Sequence, residues 1–247
     1  GGSEMSNDYV IVTDSTANLP EDMIEKYGAD SLRYYLATDV SAGTDMRFDE
    51  DKIKATWNYI NKIWNASRFV LTNISDIKEI KLDNLKPEDK WILTKFEKML
   101  HTTKKFMDKY QFNNASSVIY DFVWTSFCDS YIEMAKYSLS DDATKSTLCY
   151  ILTNILKLLH PFMPYVTEEI YQMLPIKEEE SIMISDWPVY KDEMNFADAE
   201  KAVASFQEVV RGIRNTRNEM NVPQNRKTNI YIVGKDAECC ARFESCK

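Results

Sequence analysis

Glycine and proline are scarce in this chain, which contains 6 and 7 of them among 247 residues. Both residues are common in the tight turns that join short strands, so their scarcity argues against a strand-rich fold. The 44% hydrophobic content is too high for a disordered chain and supplies a sizeable core. The composition favours a compact, mainly α-helical protein with one large domain or two smaller ones.

Membrane and export signals are also missing. No apolar run reaches the roughly 18 residues that a membrane span requires, and no charged start leads into an apolar stretch as in a signal peptide. The five cysteines match neither a disulfide framework nor the paired spacing of a zinc site. They are Cys128, Cys149, Cys239, Cys240 and Cys246. We expect a cytoplasmic protein with reduced thiols, no metal and no membrane partner.

The familiar catalytic motifs are absent as well. The sequence has no Gly-rich phosphate loop, no Gly-x-Ser-x-Gly elbow and no His-Glu-x-x-His helix. Its two histidines, His101 and His160, leave little for acid–base chemistry. Because His160 directly precedes Pro161 at a predicted helix end, a capping or core role suits it better than catalysis. The motif search therefore finds no catalytic site in the sequence.

The net charge of −9 opposes a nucleic-acid partner until the positions of the charges are considered. The stretch from Lys52 to Asn73 contains four cations and no acid, and the stretch from Arg211 to Lys227 has five cations against Glu219 alone. Exposed charges farther apart than about 8–10 Å are largely screened at physiological salt. The sequence therefore predicts two basic patches on an acidic body.

Hydrophobic spacing predicts helices along most of the chain. A helix after Pro20 is expected to end at Gly28, and Asp30 is expected to cap the next one. A long helix begins near Asp49. Its predicted inward positions are Ile53, Trp57, Ile60, Ile63, Trp64, Val70 and Leu71.

Further helices are predicted over Pro87–Tyr110, Val118–Met134, Asp141–His160, Thr167–Leu174 and Ala197–Glu219. The last of these should turn Val203, Phe206, Val209, Val210 and Ile213 inward. Two short strands are expected, at Ile182–Ile184 and at Thr228–Val233, where apolar and polar residues alternate. The second strand would begin a small α/β element after a helical bundle.

The long helix from Asp49 has an unusual polar face. Amides and cations recur three or four residues apart, where a solvated face favours Glu with Lys. The residues are Asn58, Asn61, Lys62, Asn65 and Arg68, with Phe69 one turn beyond Asn65. Amides can pair with base edges and an exposed Phe can stack on an unpaired base. The alternative is an ordinary polar face with Phe69 in the core.

A second cationic row lies on the last predicted helix. It comprises Arg211, Arg214, Asn215, Arg217 and Asn218, of which Arg211, Arg214 and Asn218 align along one side of the helix. Such a row suits contacts to phosphates. It suits salt bridges to the acidic body equally well, and the spacing does not separate the two.

Longer strings carry a family resemblance. They resemble, in order and spacing, the region beyond the catalytic domain of valyl-tRNA synthetases, and they extend from about Pro20 to Val233. The strings are YGADSLRYYLATDVSAGTDMRFDEDKI followed by NKIWNASRFVL, then DFVWTSFCDSYIEMAK, LLHPFMPYVTEEIYQML, SIMISDWP and IRNTRNEMNVPQNRK. The isoleucine and leucine enzymes share this fold, but DMRF, NKIWNASRF and FCDSYIEMAK favour the valine enzyme.

The resemblance implies a helical anticodon-binding bundle and a monomer whose partner is valine tRNA rather than DNA. It assigns anticodon reading to the helix from Asp49, through Lys62, Arg68 and Phe69, with Asn58, Asn61 and Asn65 as further candidates. It also divides the chain. Residues 1–19 would be a tag and a segment foreign to the family, 20–75 the stem-contacting and anticodon-reading helices, 76–190 the bundle, and 191–247 a C-terminal helix and strand.

The departures from the family bear on catalysis. The catalytic and editing domains are absent, and Tyr9–Thr13 (YVIVT) occupies the expected place of the Lys-Met-Ser-Lys-Ser signature. The fragment alone is therefore predicted to be inactive and to hold no cofactor, whereas the parent would use ATP and magnesium. VIVTDSTANLPEDMIEKYG instead resembles the N-terminus of DegV-type fatty-acid-binding proteins. A fragment of such a protein, or a helical interaction scaffold, is the alternative function.

Overall fold

The computed structural model describes residues 21–39, 49–223, 225–227 and 229. These residues are mainly α-helical and none of them lies in a strand, which confirms the mainly α-helical prediction. The helices are α1 (Glu21–Tyr27), α2 (Ala29–Thr38), α3 (Glu50–Asn73), α4 (Pro87–Met107), α5 (Phe112–Asp121), α6 (Ile132–Ala135), α7 (Asp142–Leu159), α8 (Pro164–Gln172) and α9 (Ala197–Glu219). Within the described ranges, no helix is long and apolar enough to cross a membrane.

The ends of α3 and α4 follow from local chemistry. Asp49 caps α3, since its side chain accepts a hydrogen bond from the Asp51 amide at 3.0 Å. Pro87 occupies the first turn of α4, where its missing N–H costs nothing. The Asp89 carboxylate reaches back to the Lys86 amide at 3.1 Å and satisfies another free donor at that helix start.

The core is centred on α7. Nearly every side chain of this helix is buried, including Leu148, Ile151, Ile155 and Leu159, because α3, α4, α5 and α8 pack around it. Pro161 ends α7 as predicted, and Pro164 starts α8 after a short break. A smaller apolar cluster, formed by Tyr27, Leu32, Tyr35 and Ile53, joins α1 and α2 to the start of α3.

The helix predicted over Val118–Met134 is longer than expected and is not uniformly α-helical. α5 runs directly into a π-helical segment, Phe122–Tyr131, which continues into α6. The wider turns of this segment bond each amide to the carbonyl five residues back. Ser130 Oγ follows the same spacing and donates to the Thr125 carbonyl at 2.9 Å.

Two local predictions are wrong. Asp30 does not cap α2, because that helix starts at Ala29 with Gly28 at its cap position, and Asp30 is buried. Its Oδ2 accepts the Val166 amide at 2.7 Å, so it satisfies a free donor in the first turn of α8 instead. Ile182–Ile184 is a 3-10 turn rather than a strand, started by Ser181, whose hydroxyl accepts the Met183 amide.

Other expectations fall outside the described residues. The strand predicted at Thr228–Val233 lies almost entirely in the range that the structure does not describe, and so does most of the segment that resembles DegV-type proteins. The helix predicted to end at Gly28 is confirmed as α1. The division of the chain into four parts stays a prediction.

Candidate nucleic-acid interface

The polar face of α3 is exposed at its centre. Asn58, Asn65 and Arg68 are exposed and Asn61 is half-buried, while Tyr59, Ile63 and Val70 on the opposite side lie in the core. No described residue forms an ion pair with Arg68. The face thus presents amide groups and a guanidinium to solvent, without a carboxylate from its own helix between Lys52 and Asn73.

Lys62 stands at one edge of this face and is already engaged. Its ammonium group lies 2.6 Å from Asp129 Oδ1 and 3.7 Å from the centre of the Trp124 ring. Tyr120 stacks on Trp124, with ring centroids 5.4 Å apart. Lys62 therefore lies on an aromatic shelf formed by Tyr120 of α5 and Trp124 of the π-helical segment. It would have to leave Asp129 to pair with a phosphate.

Phe69 lies one turn beyond Asn65 but is not a free ring. It is half-buried, packs against the main core and has the Lys136 ammonium 5.7 Å from its centre. Lys136 in turn pairs with Glu133 at 2.6 Å. The ring is thus held in place by the fold, with part of its surface left for a ligand.

The arginines of α9 divide into two kinds. Arg211 and Arg214 are exposed on the C-terminal half of the helix. Arg217 donates to the Pro223 carbonyl at 2.7 Å and to the Arg226 carbonyl at 2.9 Å, so it holds the chain that leaves the helix. Among the described residues, Arg211 and Arg214 form no comparable hydrogen bond, so their guanidinium groups are available to a ligand.

The inward row of α9 is also shorter than predicted. Val203 is buried against α4, and Glu200 pairs with Lys95 and Lys98 of that helix. The later members of the predicted row are only half-buried and lie outside the core cluster. They are Phe206, Val209, Val210 and Ile213. Among the described residues, the second half of α9 therefore contributes less to the core than its first half does.

The two cationic faces are carried by different parts of the bundle. α9 packs mainly on α4, whereas α3 packs mainly on α2, α7 and the π-helical segment. The structure therefore brings the candidate residues of α3 together on one face and keeps Arg211 and Arg214 on a separate helix.

The sequence prediction is wrong for Trp57 and Trp64. They were expected to point inward but are 41% and 38% exposed. The buried positions of α3 include the small polar residues Thr56 and Ser67, in line with Tyr59 and Ile63. The three- and four-residue spacing of these four positions could have identified the buried side of α3. With that side inward, both indoles point outward.

The two histidines contact neighbouring side chains of the bundle. His160 is half-buried after α7, its Nδ1 lies 2.8 Å from Thr167 Oγ1, and burial lowers its pKa. His101 is exposed beside the ring of Tyr190. Among the described residues, no group of three or more His, Cys, Asp or Glu side chains is placed to hold a metal ion.

Comparisons with known proteins point to one family. A family model described as the anticodon-binding domain of tRNA ligase matches residues 89–232, more than half of the chain. A valine-tRNA ligase of Anoxybacillus flavithermus is 44% identical over 235 residues, which cover 92% of this chain and 27% of that protein. The corresponding proteins of Bacillus cereus and Geobacillus stearothermophilus are 45% and 44% identical, over 91% and 88% of this chain. The chain spans about a quarter of the length of these relatives.

A solved structure shares the fold. It is the ternary complex of a leucine enzyme from Agrobacterium radiobacter, titled LeuRS-tRNA-LeuAMS, and it aligns with a TM-score of 0.58 at 18% identity. The alignment covers 73% of this chain and 22% of that one.

Proposed function

Since the chain belongs to the family of anticodon-binding domains of tRNA ligases, we propose that it is the tRNA-binding part of a valine-tRNA ligase. It docks valine tRNA through the anticodon and stem, as a monomer in the cytoplasm. Joining valine to the tRNA with ATP and magnesium falls to the catalytic part of the parent enzyme. The observation that carries this proposal is the exposed polar face of α3, to which the helix contributes cations and amides but no acid between Lys52 and Asn73.

The chemistry of this face suits an unpaired RNA loop. Arg68 supplies an exposed cation for a phosphate, and Asn58 and Asn65 supply amides that can both donate to and accept from base edges. Phe69 offers part of a ring that the core holds in position, so a base that stacks on it loses little side-chain entropy. Recognition thus combines a charge contact with base contacts along one helix.

Lys62 contributes through an exchange of partners. In the free protein its charge is balanced by Asp129, at 2.6 Å. A phosphate that approaches this edge competes with a partly exposed carboxylate, and such surface ion pairs are worth only about 0–1 kcal/mol. The exchange costs little, so Lys62 joins the contact when tRNA arrives.

The exposed arginines of α9 extend the contact along the tRNA. Arg211 and Arg214 are exposed on the C-terminal half of α9, where they can contact a phosphate backbone. Arg217 supports the end of the helix through its two carbonyl contacts. We assign Arg211 and Arg214 to stem contacts and Arg217 to positioning.

Binding of valine tRNA to the purified chain tests the proposal. Affinity should fall steeply with salt, and a tRNA with an altered anticodon should bind more weakly by the 1–3 kcal/mol typical of a good base contact. Arg68→Ala and Phe69→Ala should each weaken binding. Lys105→Ala, an exposed cation near the end of α4, is the matched control and should not. If valine tRNA and the altered tRNA bind equally, or if both variants bind like the unmodified chain, the assignment of anticodon reading to α3 fails.

A further inference from the structure

Two indole rings stand exposed on α3 with no assigned role. Trp57 and Trp64 are 41% and 38% exposed, whereas Trp91 in the core is 3% exposed. They are seven residues apart, so they lie on the same side of the helix about 10 Å from each other along its axis. Trp is enriched at interfaces, because its ring offers a large apolar surface together with a polar N–H group.

The residues around the two indoles are cationic or amidic. Lys54 precedes Trp57 by three positions, Asn61 lies between the two rings, and Arg68 follows Trp64 by four. This spacing sets all five residues along one stripe of the helix. Lys54 and Arg68 form no ion pair with any residue in the described ranges, and no acid occurs on α3 after Asp51.

We propose that the stripe Lys54-Trp57-Asn61-Trp64-Arg68 is a second edge of the RNA contact, on which unpaired tRNA bases stack against the two indoles. The inference rests on the proposed function and extends it to Lys54, Trp57 and Trp64, to which the sequence analysis assigned no RNA contact. Lys54 and Arg68 hold the phosphates on either side of the stacked bases. The indoles supply contact area that does not depend on base identity.

The charge pattern favours RNA as the ligand at this edge. The chain has a net charge of −9, which disfavours polyanions, whereas α3 carries cations and no acid after Asp51. Aromatic rings that alternate with cations form the usual surface for single-stranded nucleic acid, since rings stack on bases while cations contact phosphates. The exposed Asn58 and Asn65 lie between this edge and the edge held by Lys62 and Phe69. RNA would then cover the whole outward face of α3.

Paired substitutions test the inference in the full chain. In Trp57→Leu/Trp64→Leu both positions stay apolar and helical but can no longer stack. In Trp57→Phe/Trp64→Phe the aromatic faces are retained. Trp187→Leu is the matched control, since Trp187 is 37% exposed but lies far along the chain from α3. Valine tRNA affinity is measured at two salt concentrations, and urea unfolding followed by circular dichroism verifies that each variant folds.

The Leu variant should bind valine tRNA about thirtyfold more weakly than the unmodified chain, the factor that corresponds to about 1 kcal/mol for each of the two stacked bases. The Phe variant and Trp187→Leu should stay within about twofold. The salt slope should not change, because stacking releases no counterions. Equal affinity of the Leu and unmodified chains overturns the inference, as does equal loss in the Leu and Phe variants. If the unmodified chain fails to bind tRNA at low salt, the proposed function itself is wrong.

Discussion

Asp89 is the buried carboxylate that ties three elements of the bundle together. Its Oδ1 accepts the Tyr131 hydroxyl at 2.6 Å, and its Oδ2 accepts the Thr144 hydroxyl and the Lys86 amide, both at 3.1 Å. Tyr131 ends the π-helical segment and Thr144 lies in the first turn of α7. The carboxylate therefore fixes the segment that carries the shelf under Lys62.

Replacing Asp89 with alanine removes the acceptor for three donors. Tyr131 and Thr144 are fully buried, so water has little access to their hydroxyl groups. A buried donor left without a partner costs about 1–3 kcal/mol, and partial relaxation favours the low end for each. We expect Asp89→Ala to lower the free energy of unfolding by about 3 kcal/mol. Asp89→Asn, which keeps the shape and one acceptor oxygen, should cost less.

Urea unfolding at pH 7, followed by circular dichroism, measures the loss. Asp83→Ala is the matched control, because Asp83 is exposed on the loop before α4, and exposed substitutions usually change stability by no more than about 0.5 kcal/mol. A loss of less than about 1 kcal/mol for Asp89→Ala would refute the reasoning. It would mean that the three donors find other partners once the carboxylate is gone.

Two further predictions concern charge. Burial raises the pKa of Glu97, whose Oε2 accepts the Lys191 amide at 2.7 Å. The Glu97 carboxyl therefore keeps its proton to a higher pH in the folded state than in the unfolded state. As the pH rises from the ordinary carboxyl range through the raised pKa, ionisation of buried Glu97 lowers the free energy of unfolding. In urea unfolding, the free energy of unfolding of the unmodified chain, relative to that of Glu97→Gln, should fall between pH 4 and pH 7. A rise over this range would contradict the raised pKa of Glu97. Asp129→Asn should release Lys62 and tighten valine tRNA binding up to about fivefold at low salt, a gain that Lys62→Ala must abolish.

Helix ends were predictable where a residue acts on its own backbone. Asp49 caps α3 and Pro161 ends α7, because the cap and the missing amide act within a few residues. The anticodon-binding fold was also predictable, because long strings of residues carried the resemblance. Both kinds of signal are contained in the order of the residues along the chain.

Features that depend on contacts between residues far apart in the chain could not be predicted from the sequence. Asp30 looks like a cap for its own helix, yet it bonds to Val166, 136 residues away. The indoles of Trp57 and Trp64 suggested an inward stripe, but Tyr34 and Tyr120 pack against Tyr59 and fix a different side of α3 inward. Asp129, the partner of Lys62, is 67 residues away and belongs to a turn type that hydrophobic spacing does not reveal.

The π-helical segment determines which side chains can meet at Lys62. Trp124 and Asp129 are five positions apart, and in an α-helix, at about 100° per residue, they would point roughly 140° away from each other. Wider turns bring positions five apart onto the same side, so one ammonium group contacts both the ring and the carboxylate. The backbone conformation of this segment therefore determines which side chains reach Lys62. Deleting one residue from the segment would separate ring from carboxylate while leaving both side chains in the sequence.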